Sequence, residues 1–130
     1  MSSTVLAELP AVPESLAPLR SEARSVAERC GAADDVVSDI VLAVSEACTN
    51  VVVHAYRDRQ PGNVALAAEA ENGHVLFRVT DDGEGLTPRP DSPGMGLGLP
   101  LIARLAESFE VLPGPDGHGT ELCMRFSVAA

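Results

Sequence analysis

Residues 44–50 read Val44-Ser45-Glu46-Ala47-Cys48-Thr49-Asn50, and they lie within the clearest helical pattern of the chain. Apolar residues recur there every three or four positions, the spacing that places them on one face of a helix. They are Val37, Val41, Val44, Cys48, Val51 and Ala55. Glu46 and Asn50 are one helical turn apart and share a neighbouring polar face. We therefore predict a helix that is capped by Asp34 or Asp35 and that presents a carboxylate beside an amide.

Strand and helix patterns alternate on both sides of this helix. We predict strands at residues 4–9, 63–70, 74–80, 108–112 and 120–128, and helices at residues 14–30 and 99–107. The regular part of the first helix should begin near Pro18. Asn72-Gly73 suits a tight hairpin turn between the second and third strands. We expect a single domain over residues 1–130, an α/β (α+β) two-layer sandwich whose mixed, mostly antiparallel sheet carries helices on one face.

Composition restricts the classes of function. Hydrophobic residues make up 45% of the 130 residues, which is enough for a core. The formal net charge of −10 disfavours direct binding of nucleic acid through its phosphates. All nine basic residues are arginine. The absence of lysine removes both the Walker A lysine and the strand lysine of eukaryotic-type protein kinases. Phosphate binding would therefore depend on backbone amides, a metal ion or arginine.

Cysteine usage and hydropathy indicate the compartment. The three cysteines are widely spaced and form no Cys-x-x-Cys pair, so we expect free thiols and no zinc site. No uninterrupted apolar run approaches the ~18 residues that span a membrane, and the N-terminus lacks the pattern of a signal peptide. We expect a cytoplasmic protein without a membrane-spanning segment.

A second motif, Asp81-Asp82-Gly83-Glu84-Gly85, follows a predicted strand. A carboxylate at the end of a strand can accept a hydrogen bond from the exocyclic amine of adenine. Gly83 and Gly85 would let the backbone approach a flat base closely. The alternative is a simple acidic turn, because Asp-Gly is a common turn dipeptide.

A third motif, Gly94-Met95-Gly96-Leu97-Gly98-Leu99, leads into a predicted helix. Exposed N–H groups at a helix start favour an anion such as phosphate, whereas the alternative is a flexible linker. A Rossmann fingerprint would need glycine where Leu99 stands. Glu46 and Asn50 also have two interpretations: a general base beside a Mg²⁺ ligand, or a solvated polar face.

These motifs, in their order, resemble the N, G1, G2 and terminal Gly-Thr boxes of the GHKL ATPases, which have the Bergerat, histidine-kinase-like fold. The matching residues are Glu46-x-x-x-Asn50, Asp81-x-Gly83-x-Gly85, Gly94-x-Gly96-x-Gly98 and Gly119-Thr120. Within that superfamily, residues 44–50 followed by His54-Ala55-Tyr56 look most like the anti-sigma-factor serine/threonine kinases.

The resemblance implies a role for each matching residue. Glu46 would be the catalytic base and Asn50 the Mg²⁺ ligand, while Asp81 would contact the adenine of ATP. The remaining nucleotide-binding positions would be Gly83, Gly85, Gly94, Gly96, Gly98, Leu99 and Thr120. Arg20 matches in position an arginine that contacts a partner. The family implies a homodimer that sequesters a sigma factor and phosphorylates an anti-anti-sigma protein of the STAS type.

The segment that would form the ATP lid departs from this family. It has only eight residues, 86–93, and is rich in proline, whereas many kinases of this branch have a longer lid. Closure of a lid excludes water and positions phosphates. Two functions therefore stay open: a protein kinase, and a catalytically weak, nucleotide-gated anti-sigma module. A third, the ATP-binding half of a histidine kinase, is disfavoured because no phospho-accepting histidine segment precedes the motifs.

Overall fold

The protein is described by a computed structural model over residues 4–55, 62–83, 99–114 and 118–128. Its strands are β1 (Thr4–Pro10), β2 (Asn63–Glu71), β3 (His74–Asp81), β4 (Ser108–Pro113) and β5 (Thr120–Ser127). Its helices are α1 (Leu16–Arg29), α2 (Asp34–Asn50) and α3 (Leu99–Leu105). The order and type of these elements agree with the sequence prediction.

The strands form one five-stranded sheet in the order β1-β2-β3-β5-β4, in which every neighbouring pair is antiparallel. The predicted turn at Asn72-Gly73 joins β2 to β3, with Gly73 at a φ of 70°. That positive φ is one that glycine adopts without steric cost. The register pairs Asp81, the last residue of β3, with Val64 on one side and Thr120 on the other.

Alternate residues of the central strands form the core under the helices. These buried residues are Val64, Leu66, Ala68, Val75, Phe77, Val79, Leu122, Met124 and Phe126. α1 packs on α2, and α2 packs on β3 and β5. The opposite side of the sheet, which we call the outer face, carries no helix among the described residues. It presents half-buried side chains: Ala65, Ala67, Glu69, Leu76, Arg78, Thr80, Glu121, Cys123 and Arg125.

Of the predicted stripe, Val37, Val44 and Cys48 are buried in α2 beside Ile40, Ala43 and Ala47, whereas Val41 is only half-buried. Val51 and Ala55 are buried in the turn that follows. The helix continues as a π-helix over Val51–Ala55. The stretch 34–55 is long and apolar enough, by length and composition, to cross a membrane. Core helices pass the same test, and this one packs its apolar side on the sheet.

Two predicted helix ends were wrong. The N-cap of α2 is Ala33, with φ −66° and ψ 159° and no side-chain cap, so Asp34 and Asp35 lie in the first turn. There their negative charges interact favourably with the positive end of the helix dipole. α3 ends at Leu105 rather than at residue 107, because the N–H of Glu107 donates to the carbonyl of Arg125 at 2.8 Å and joins the sheet.

Candidate functional site

Glu46 and Asn50 lie on the last turns of α2, at the margin of its buried face. Asn50 is the last α-helical residue and is 8% exposed, whereas Glu46 is half-buried. Their separation of one turn places the carboxylate and the amide on the same side of the helix. A proton acceptor and a neutral oxygen ligand are therefore held side by side.

The direction of α2 brings this pair toward one end of the sheet. Val36, near the start of α2, shares a cavity with Ser127 at the end of β5. From Val36 to Asn50 the helix rises about 20 Å, and β5 extends about 20 Å from Ser127 back to Thr120. α2 thus begins at the Ser127 end of the sheet and is about as long as β5, so a course along the strands would bring Asn50 near the end that holds Asp81 and Thr120.

Asp81 is held in the core by its own backbone neighbours. The carboxylate is 3% exposed, and its Oδ1 accepts a hydrogen bond from the N–H of Gly83 at 2.9 Å. Among the described residues no donor makes a hydrogen bond to the other oxygen, Oδ2, although the backbone N–H of Thr120 lies near enough to the carboxyl to favour its charged form. A buried carboxylate oxygen without a donor is costly, and a water molecule or a ligand that donates a hydrogen bond would relieve that cost.

The environment of Asp81 also changes its titration. Burial raises the pKa of its carboxyl, and the negative charge of Asp82 acts in the same direction. The backbone N–H groups of Gly83 and Thr120 oppose that rise in pKa. The folded protein therefore favours the protonated form of Asp81, whereas a ligand that donates a hydrogen bond would favour the carboxylate form.

The turn before β5 packs directly against Asp81. Gly119 has a φ of 70°, and a Cβ atom there would overlap with the backbone carbonyl of Asp81. Thr120 is 2% exposed and pairs with Asp81 in the sheet. Gly119 and Thr120 thus lie beside Asp81, the predicted adenine contact. This proximity depends on the β3–β5 register and could not be inferred from the spacing of these residues in the sequence.

Arg20 of α1 reaches the turn of α2 that carries Glu46. Its Nη1 donates to Oγ of Ser45 at 3.4 Å in a partly buried setting. Beneath it lies Cys48, whose pKa burial raises to about 12, although the charge of Arg20 lowers it in part. The sequence indicated Arg20 as a partner contact but not its bond to Ser45, for which no local pattern exists.

Several predicted positions lie outside the described residues: Gly85, Gly94, Gly96, Gly98 and the lid at 86–93. Leu99 is described; it begins α3, is half-buried and packs against the core. Within the described ranges no group of three His, Cys, Asp or Glu residues suits a metal ion.

Comparison with known proteins agrees with this arrangement. The sequence profile of the histidine kinase-like ATPase domain matches residues 9–126. The anti-sigma F factor of Clostridium beijerinckii is 30% identical over 102 residues, which cover 70% of this chain and 71% of that protein. The serine-protein kinase RsbW of Bacillus thuringiensis is 31% identical over 120 residues, covering 81% and 74%.

Two solved structures have the same fold. One is the histidine kinase domain of a blue-light activated histidine kinase from Erythrobacter litoralis, with a TM-score of 0.61 and 27% identity. The match covers 92% of this chain and 61% of that one. The other is a chain of the SiaB–SiaC complex from Pseudomonas aeruginosa, with a TM-score of 0.60, 16% identity, and 94% and 89% coverage. At that identity the second likeness bears on the fold alone. The chain belongs to the histidine kinase-like, or GHKL, ATPase family, in the branch of the anti-sigma factors and their serine-protein kinases.

Proposed function

We propose that this protein binds Mg-ATP and is a protein serine/threonine kinase. Its substrate would be an anti-anti-sigma protein of the STAS type, and its second partner would be a sigma factor that it sequesters. The relatives named as an anti-sigma F factor and a serine-protein kinase support this assignment.

The unpartnered oxygen of Asp81 is the observation that carries the proposal. Oδ1 is satisfied by Gly83 while Oδ2 is buried without a donor, so the site suits one incoming N–H group. The exocyclic amine of adenine is such a donor, and an acceptor-only carboxylate distinguishes it from the carbonyl of guanine. Thr120, beside Asp81 in the sheet, would support the same end of the nucleotide.

The Glu46 and Asn50 pair would serve the other end of the nucleotide. ATP, when bound, supplies the phosphoryl group for transfer. Glu46 would accept the proton of the attacking hydroxyl, a role that typically contributes 10²- to 10⁴-fold in rate. The amide oxygen of Asn50 would hold Mg²⁺, which prefers oxygen ligands. The helix start at Leu99 and the glycines before it would present N–H groups to the phosphates.

The test is transfer of label from γ-labelled ATP, with Mg²⁺, into proteins of the native host's lysate. Wild type, Glu46→Gln and Glu28→Gln would be compared, since Glu28 is an exposed residue of α1 that loses the same charge. A labelled band with wild type and Glu28→Gln, but not with Glu46→Gln, supports the kinase and isolates its substrate. Equal labelling by all three proteins would contradict the role of Glu46 as the catalytic base.

The eight-residue lid at 86–93 favours a second candidate, an anti-sigma module that nucleotide only gates. A short lid excludes water less completely over the phosphates. This candidate predicts ATP-dependent capture of a sigma factor with no label transfer, while ATP binding persists in the same samples.

The proposed assembly is a cytoplasmic homodimer. The support is the outer face of the sheet, which no helix covers in the described chain and on which the half-buried apolar residues Ala65, Ala67 and Leu76 lie among the ion pairs of Arg78. Val5, on the edge strand, is 66% exposed. Sedimentation of wild type against Ala67→Glu tests this proposal, and a wild-type monomer at every concentration would contradict it.

A further inference from the structure

A cavity of about 250 Å³ lies between the start of α2, the end of α3 and the end of β5. It is lined by Val36, Asp39, Leu105, Ala106, Glu107, Phe126 and Ser127. Small-molecule sites are usually larger, about 300–1,000 Å³, so this volume suits a single side chain of a partner. We call it the α2–α3 cavity.

The lining combines an apolar wall with two carboxylates. Leu105 and Phe126 offer apolar surface, while Asp39 makes no ion pair or hydrogen bond within the described residues. Glu107 is already engaged, by Nε2 of His74 at 3.3 Å and Nε of Arg125 at 3.8 Å. The free acceptor is therefore Asp39, and an aliphatic stem with a cationic end fits this lining.

The cavity is aligned with the proposed base. Asp39 and Glu46 are seven residues apart, or two turns, and so share one side of α2. The rise between them is about 10 Å, whereas an extended peptide advances about 3.3 Å per residue. If the hydroxyl of a bound, extended peptide lies at Glu46, a peptide residue about three positions away therefore reaches Asp39.

We propose that the α2–α3 cavity is a specificity pocket of the kinase. It takes a lysine or arginine side chain of the acceptor protein, about three residues from the phosphorylated serine or threonine. This inference rests on the proposed kinase function. The net charge of this chain, −10, favours it, because an acidic protein attracts a basic segment.

The binding test does not require catalysis. The probe is the peptide acetyl-Ala-Arg-Ala-Ala-Ser-Ala-amide, titrated into the ¹⁵N-labelled protein with and without ATP, beside the same peptide with citrulline in place of arginine. We expect the amide signals of Val36, Ala106 and Ser127 to shift with the arginine peptide. Citrulline, which has the same shape without the charge, should shift them about fivefold less at equal concentration.

Asp39→Asn should weaken arginine-peptide binding about fivefold, whereas Asp34→Asn, an exposed control on the same helix that is not in the cavity, should leave it unchanged. With an acceptor protein, Asp39→Asn should raise KM and preserve kcat, whereas Glu46→Gln should lower kcat. Absence of shifts at the cavity, or equal shifts for arginine and citrulline, would overturn the pocket. Failure of transfer with intact peptide shifts would instead overturn the kinase and retain the pocket for a basic partner side chain.

Discussion

Gly119 stands directly against the backbone carbonyl of Asp81, so closely that a methyl group in its place would overlap with that oxygen. The contact joins the turn before β5 to the end of β3. Asp81 also accepts the N–H of Gly83 through Oδ1. The backbone of Asp81 is therefore held by Gly119 and its side chain by Gly83, which directs Oδ2 away from Gly83.

Gly119→Ala should lower both stability and ATP affinity. Alanine at a φ of 70° is strained, and its Cβ would also displace Asp81. We expect a loss of about 2–3 kcal/mol in the free energy of unfolding, measured with urea. The matched control is Gly31→Ala, because Gly31 has a φ of 82° but no atom within 4 Å of the added Cβ. It should cost only about 1 kcal/mol and leave ATP binding intact. Equal losses in both variants would mean that the Asp81 contact contributes nothing.

Asp81→Asn should abolish measurable ATP binding without destabilising the nucleotide-free protein. The amide removes a buried charge but places N–H donors where Oδ2 had no partner, so the two effects oppose each other and the free energy of unfolding should change by no more than about 1 kcal/mol. Calorimetric titration with ATP and urea unfolding measure the two effects. A variant that unfolds more easily and still binds ATP would contradict the assigned role.

The same carboxyl group sets a pH dependence. Burial raises the pKa of Asp81 in the folded protein above the unfolded value of about 3.9. Below that value both states hold the proton. As the pH rises from there, the unfolded chain loses it first, so the free energy of unfolding falls until the raised pKa is passed. Wild type should lose stability relative to Asp81→Asn across that window, and ATP affinity should rise over it. A constant difference between the two proteins from acid to neutral pH would exclude the effect.

Ala33→Ser should stabilise the protein by about 1 kcal/mol. Ala33 has the extended conformation of an N-cap but no side chain that can accept a hydrogen bond from the first turn of α2. Ala33→Val, without an acceptor, serves as the control and should not stabilise. Thermal unfolding of the three proteins measures the difference, and equal midpoints for serine and valine would contradict a capping effect.

Arg78→Gln should destabilise the protein by about 1 kcal/mol in low salt. Arg78 pairs with Glu69 at 3.6 Å and Glu121 at 3.5 Å, so its loss leaves two partly buried carboxylates without a counter-charge. The effect should shrink in 1 M salt because these groups are partly exposed. Arg24→Gln, at an exposed position of α1, should change little. Persistence of the full effect in high salt would indicate lost packing instead of lost charge.

Much of the fold was predictable because its signals are local. The alternation of Val75, Phe77 and Val79 identifies a strand, and Asn72-Gly73 identifies the turn before it. Helix ends were less predictable. The residue that caps α2 depends on where the backbone changes from an extended to a helical conformation. α3 ends before Glu107 because the N–H of Glu107 forms a hydrogen bond with β5.

The sequence by itself determined the order of the elements, the family and the candidate residues Glu46, Asn50 and Asp81, because periodicity and motif spacing are properties of neighbouring residues. Only the tertiary structure decided that Oδ2 of Asp81 has no described donor, that Gly119 fixes Asp81, and that Asp39 opens into a cavity. Each of these relationships joins segments distant in the chain, and strand register and helix packing, rather than any local pattern, set the distances between them.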